Sequence, residues 1–194
     1  MASTILVDKI DPQSGTALEI GSSGDTITIP SGATLSVAGS SVTAVDNTPY
    51  VMAGLTSTAT ISDNTWTTVV FDNELYDTGS IYNNSTGVCT PTAGTYFIFA
   101  YIGLGNSADD AISDHGIRFY LNGSTQLAEN TNYNVDVQRL TVSSQAIYTF
   151  SGSDTFVVQG YSNVTSGTPN FDGVAANRWG TYFGMYKIIT WQVK

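Results

Sequence analysis

At 194 residues with 41% hydrophobic content, the chain is long enough to bury a sizeable core in one or two domains. Charged residues are only 11%, while Thr, Ser, Asn, Gly and Tyr are abundant, which suits short strands and tight turns rather than helices. Six Lys plus Arg against sixteen Asp plus Glu give a net charge of -10, so a nucleic-acid duplex or an anionic membrane repels the chain at long range. The single cysteine, Cys89, excludes an intrachain disulfide or a thiolate metal cluster.

No apolar run reaches the length a bilayer needs, so no membrane insertion is expected. The first residues lack a basic region followed by an apolar stretch and a small-residue cleavage site, and the expectation is a chain made and kept in a cytoplasm.

Residues 1–45 have a grammar of their own. Ile5 with Val7, Leu18 with Ile20, Ile27 with Ile29, and Leu35 with Val37 form apolar pairs that alternate with polar residues, separated by SGT, GSSGD, PSG and AGS. The segment has no aromatic residue and too few apolar side chains to offset the entropy of ordering it alone. Three copies wound round one axis would bury every pair in a narrow β-prism. A flexible Gly/Ser linker is the alternative.

Asn47 and Pro49 punctuate the chain, and a second domain is expected over 46–194. Candidate strands follow at 51–55, 66–71, 94–102, 116–121, 140–150, 156–161 and 181–189, a number that predicts an all-β sandwich or jelly roll. Asn122-Gly123 marks a hairpin between two strand-like runs. In the 94–102 strand, Tyr96, Ile98, Ala100 and Ile102 alternate with Phe97, Phe99 and Tyr101, so both faces are apolar. Such a strand is either central to a double-sheet core or covered on its outer side by another subunit. Cys89 reads as a small buried hydrophobe in a strand.

The only histidine, His115 in SADDAISDHG, reads as an exposed loop residue; its neighbours Ser113 and Asp114 are too close in sequence to present a fixed triad. The run 103–108, GLGNSA, fits a dinucleotide fingerprint only formally and is expected to be a turn. Asp109, Asp110 and Asp114 are the one carboxylate cluster, a set of hard ligands that suits calcium but matches no EF-hand spacing; a solvated acidic loop is the expectation, calcium the alternative, and no cofactor is otherwise expected. A glycan-cleaving enzyme would need paired carboxylates across a groove, and the sequence offers no such pair. Candidate recognition residues are those on exposed polar segments that carry aromatics and Arg, Phe171, Arg178 and Trp179 in 162–180 and Tyr133 and Arg139 in 130–139; the alternative is that Trp179 packs under its own loop.

The run FDNELYDTGSIYNNSTGVCTPTAGTYFIFAYI resembles the complement-1q and tumour-necrosis-factor superfamily of trimeric jelly rolls. The resemblance rests on Phe71, Gly79, Tyr82, Thr86 with Gly87, Thr90 beside Pro91, and Gly94 leading into Tyr96. GIRFYLNG, then Ala146 to Phe150 followed by Phe156-Val157-Val158, and the closing Tyr182-Phe183-Gly184-Met185-Tyr186 continue in the family's order. One serine between Gly152 and Asp154 departs from the family's Gly-Asp turn. The resemblance implies a complement-1q/TNF-like jelly roll that forms a homotrimer, with Tyr96, Phe97, Phe99, Tyr101, Tyr182 and Tyr186 as candidate trimer-interface residues. Some relatives hold calcium near a trimer apex, so the resemblance keeps that alternative open for the acidic loop.

Upstream there is no collagen stalk, and the opening STILVDKIDPQSGTALEIGSSGDTITIPSG resembles the N-termini of marine-bacteriophage tail-fibre or head-fibre proteins. That resemblance implies a non-enzymatic virion protein. Ile5, Val7 and Ile10 would lie in the segment joined to capsid or tail proteins, and the head would bind a host-surface glycan or protein. A secreted bacterial complement-like adhesin is the alternative.

Overall fold

The computed structural model describes residues 47–173 and 180–188, Asn134 by its backbone alone, together with residues 24–26, 28 and 31. The chain divides into two compact units, Met1–Ala44 and Val45–Lys194. Ile5, Val7 and Ile10 lie outside the described residues, as do Arg178 and Trp179.

In the second unit the described residues form thirteen strands and no helix. They are β1 Tyr50–Gly54, β2 Ala59–Thr60, β3 Thr67–Thr68, β4 Asn73–Asp77, β5 Tyr82–Asn83, β6 Val88–Cys89, β7 Gly94–Asn106, β8 Ile112–Leu121, β9 Thr125–Val137, β10 Arg139–Phe150, β11 Phe156–Val164, β12 Pro169–Phe171 and β13 Tyr182–Lys187. One seven-stranded sheet runs β2-β12-β7-β13-β1-β4, with β10 on the free flank of β7, and a six-stranded sheet runs β5-β6-β11-β8-β9, with β3 on β11. All pairings are antiparallel, and the chain passes back and forth between the sheets.

The core lies between the sheets. From β7, Tyr96, Ile98, Ala100, Ile102 and Leu104 point into it and are fully buried. From the opposite sheet come Phe119, Ile117, Phe156 and Val158. Rings meet across the gap: Phe150 stacks on Phe156 at 5.5 Å, and Phe183 lies 4.9 Å from Tyr82 and 4.8 Å from Phe71. Tyr82 also ties down the chain at Phe71, its hydroxyl accepting from the Phe71 N–H (2.8 Å) and donating to the Phe71 carbonyl (3.1 Å). Burial pushes the Tyr82 hydroxyl well above the ordinary phenol range, so it remains a donor. Cys89 is buried with its Sγ 3.5 Å from the Met185 Sδ, and desolvation likewise pushes its thiol up, which makes it inert packing.

The Asn122-Gly123 hairpin forms as its residues require, with φ of 50° and 66° in the left-handed region. Its tip is tied to the β10–β11 turn: Asn122 Nδ2 donates to Asp154 Oδ1 and Thr155 N–H donates to Asn122 Oδ1, both at 2.8 Å. Asp154 also accepts from the Ser151 N–H at 2.7 Å, and these bonds hold its carboxyl below its ordinary value. The extra serine of this turn is thus accommodated around one carboxylate.

Four local expectations are corrected. Residues 103–106 are not a turn but the end of β7, because β10 and β12 ladder to them from both sides. Of the strand expected at 66–71, only Thr67–Thr68 pairs, against Gln159 and Gly160 of β11. The segment 130–139, not among the expected strands, is mostly the second half of β9. His115 sits within β8 rather than on a loop.

Phe171 of β12 packs where Gly160 of β11 leaves room, and a Cβ at Gly160 would run into the Phe171 ring and approach Ile102 Cδ1 to 3.2 Å. Gly160→Val is therefore expected to destabilise the fold by about 1–3 kcal/mol through overpacking, read as a lower urea midpoint.

Candidate functional site

The strand period of two sends the other side chains of β7 outward. Phe97, Phe99 and Tyr101 face away from the core on the outer side of the seven-stranded sheet. The register places Tyr182 opposite Tyr101 and Tyr186 opposite Phe97, with ring separations of 4.9 Å and 5.6 Å. Gly184 stands opposite Phe99, and a Cβ there would lie 2.5 Å from the Phe99 Cζ, so the ring lies over bare backbone.

The band continues on both sides. On β1, Tyr50 and Met52 oppose Tyr186 and Gly184, and Tyr76 of β4 opposes Met52 and meets Tyr50 edge-on at 6.1 Å. On β10, Ile147 opposes Phe97 and is 67% exposed, an unusual setting for isoleucine. Tyr101 and Tyr186, at 39% and 41% exposure, are also left uncovered. A cleft of about 370 Å³ opens between Tyr50, Met52, Tyr76, Phe99 and Tyr186. Chemically this face offers apolar area and stacked rings, with Ser143 and Gln145 at its margin on β10.

Five of the six candidate interface residues, Phe97, Phe99, Tyr101, Tyr182 and Tyr186, thus share one face. Tyr96 does not. It is on the inward side of the same strand, wholly buried, with its hydroxyl 2.8 Å from Thr92 Oγ1 and its ring against Phe150. Its aromatic character resembled that of its neighbours, but its odd-even position decides the matter. Tyr50, Met52, Tyr76 and Ile147 complete the face and were missed, because only the register joins them to it.

The candidate recognition residues do not form one site. Phe171 is 2% exposed and belongs to the core. Arg139 begins β10 in one sheet and pairs with Asp172 at 3.3 Å, whereas Tyr133, 65% exposed, is on β9 of the other sheet. The carboxylate cluster also separates: Asp109 and Asp110 follow β7 in a turn, Asp114 is in β8 and accepts from Asn163 Nδ2 at 2.8 Å. Among the described residues no three His, Cys, Asp or Glu side chains are grouped to hold a metal ion.

His115 is 5% exposed, its Nε2 3.3 Å from Asn132 Nδ2, while its Nδ1 and the Ser162 Oγ opposite it in register are buried without a partner. Burial lowers its pKa, outweighing the opposing pull of Asp114. The Ser113 hydroxyl donates to the Asn163 carbonyl at 3.1 Å and so is already engaged. Because the unfolded chain binds this proton at the ordinary value of 6.5 and the folded chain only at lower pH, the His115 contribution to stability is complete above 6.5 and is lost as pH falls below it. Thermal melts between pH 7 and 5 are expected to show this loss, and His115→Gln should flatten it.

No protein-family model matches the chain, and no curated protein does. Solved structures do resemble it. The globular domain of zebrafish complement 1qA protein superposes with a TM-score of 0.53 at 14% identity, covering 73% of this chain and 98% of that one. Murine APRIL at pH 5.0 gives 0.51 at 14% identity, covering 72% and 99%. At this identity the likeness establishes the fold, an all-β jelly roll of the complement-1q/TNF type.

Proposed function

We propose that this chain is a non-catalytic structural and binding protein that assembles as a homotrimer through the outer aromatic face of β7 and β13. The observation that carries the reading is that face itself: Phe97, Phe99, Tyr101, Tyr182 and Tyr186 form one band on a sheet already packed on its other side. Large contiguous apolar patches on a soluble protein mark interaction surfaces, and a second and third copy would remove this one from water. The resemblance to trimeric jelly rolls supports a closed threefold arrangement over an open one.

The wider reading follows the N-terminal resemblance. Residues 1–45 are a stalk that joins a bacteriophage particle at capsid or tail, and residues 46–194 are a head displayed toward a host-surface glycan or protein. The setting is then the virion. Three weak sites per trimer and many trimers per particle would act together, so single-site affinity need not be high.

Light scattering on the whole protein tests the assembly. A mass about three times 20.6 kDa is expected, and a folded species near 20.6 kDa would overturn the proposal. The pair Tyr101→Asp with Tyr186→Asp is expected to yield the smaller species, since two carboxylates per chain would be buried unpaired at the interface. Removing residues 1–45 is expected to leave the head folded but absent from purified particles; incorporation of the truncated chain would refute the attachment role.

A further inference from the structure

We infer that the outer face of the six-stranded sheet binds an acidic carbohydrate, with Arg118 reading the carboxylate and Trp66, Tyr120 and Tyr161 framing it. The inference deepens the display reading above and rests on it for biological purpose. The site itself is argued from this face alone.

On the outward side of β8, Gly116, Arg118 and Tyr120 follow one another at the strand period. Trp66, just before β3, lays its ring over Gly116, where a Cβ would stand 2.9 Å from its Cη2. The Arg118 guanidinium carbon is 4.4 Å from the Trp66 centroid and 4.3 Å from that of Tyr120, while Arg118 Nε donates to Gln159 Oε1 at 2.8 Å. Tyr161 extends the row beside Trp66 at 5.3 Å and donates its hydroxyl to Asn64 Oδ1 at 2.6 Å. A long, flexible side chain is thus held by two rings and one hydrogen bond.

The terminal nitrogens are not used by this arrangement. Among the described residues Arg118 makes no ion pair, and Gln159 is its one hydrogen-bond partner. This is unexpected in a chain of net charge -10, and more so because Glu129 stands directly opposite on β9. Glu129 instead accepts from Thr131 Oγ1 at 2.8 Å. Arg139, by contrast, has its carboxylate in Asp172. Arg118 is therefore a cation immobilised and left with its two Nη groups open, which is the fork that matches a carboxylate in bidentate fashion. Its ordering cost is met in the free protein. At physiological salt the field of distant acidic residues decays within about 8 Å, so the fork and the neighbouring Glu129 together govern a bound anion.

The surroundings favour a saccharide over an acidic peptide. A cleft of about 310 Å³ adjoins the stack, sharing Tyr120 and Gln159 and lined further by Thr68, Asn122 and Thr155. Tyr120 and Val157 in that cleft, with the Trp66 and Tyr161 rings beside it and the Thr68 and Thr155 hydroxyls, suit the C–H faces and hydroxyls of a sugar ring. The face also lies on the opposite side of the sandwich from the aromatic band, so assembly through that band leaves it uncovered.

The test is calorimetric titration of the whole protein with trigalacturonic acid and with its neutral galactose counterpart, with light scattering on each variant. The uronate is expected to bind with a Kd of about 1 mM, at least tenfold tighter than the neutral sugar, and to weaken with added salt. Arg118→Gln and Trp66→Ala should each lose at least tenfold, with assembly mass unchanged; Arg118→Lys, which keeps charge but not the fork, should lose part of the affinity. Equal binding of both sugars, binding of neither, full retention in Arg118→Gln, or equally tight binding of a Glu-rich peptide would overturn the inference. A monomeric mass with uronate binding intact would overturn the assembly reading and leave this site standing.

Discussion

Everything in the second unit depends on how β7 is shared. One strand of thirteen residues ladders with β10 along one flank and with β13 and β12 along the other, while its side chains serve two environments. The inward set is buried against the six-stranded sheet, and the outward set forms the spine of the aromatic band. Because the side-chain period is two, a slip of one residue would exchange the sets, placing Phe97, Phe99 and Tyr101 in a gap sized for Ile98, Ala100 and Ile102. Register here is therefore set by core volume, and the outer band follows from it without separate specification.

The two outer faces then differ in kind. The seven-stranded sheet presents packed rings and little polarity. The six-stranded sheet presents a charged group held between rings, with amides and hydroxyls around it. A sandwich lets one chain keep these surfaces apart, since each grows from alternate positions of strands whose other positions build the common core.

Much of this was legible in the sequence, and the failures have physical causes. Apolar alternation on both faces of 94–102, the Asn-Gly hairpin and the burial of Cys89 all announce themselves locally. The strand β9 does not, because polar residues interrupt it: Asn130 donates to the Ser143 carbonyl and Asn132 meets His115, both exposed, while Leu127, Ala128, Val135 and Val137 pack against the core. His115 was misread for the same reason. Phe171 looked like a contact residue in a polar run, but a glycine on a strand of the other sheet makes a seat for it. The Trp66–Arg118–Tyr120 stack joins residues far apart in the chain, and no window of sequence contains it.

Asn130 has a further effect at the margin of the sandwich. β9 ends one sheet and β10 lies on the free flank of the other, and the chain joins them through Gln138 alone, so two unpaired edges lie side by side. Long open edges recruit strands from other molecules. Here the Asn130 amide occupies the Ser143 carbonyl of β10, and Glu129 and Asp136 place carboxylates along β9. This margin is then closed to strand exchange with other molecules, which leaves side-chain surfaces rather than backbone edges as the means of contact.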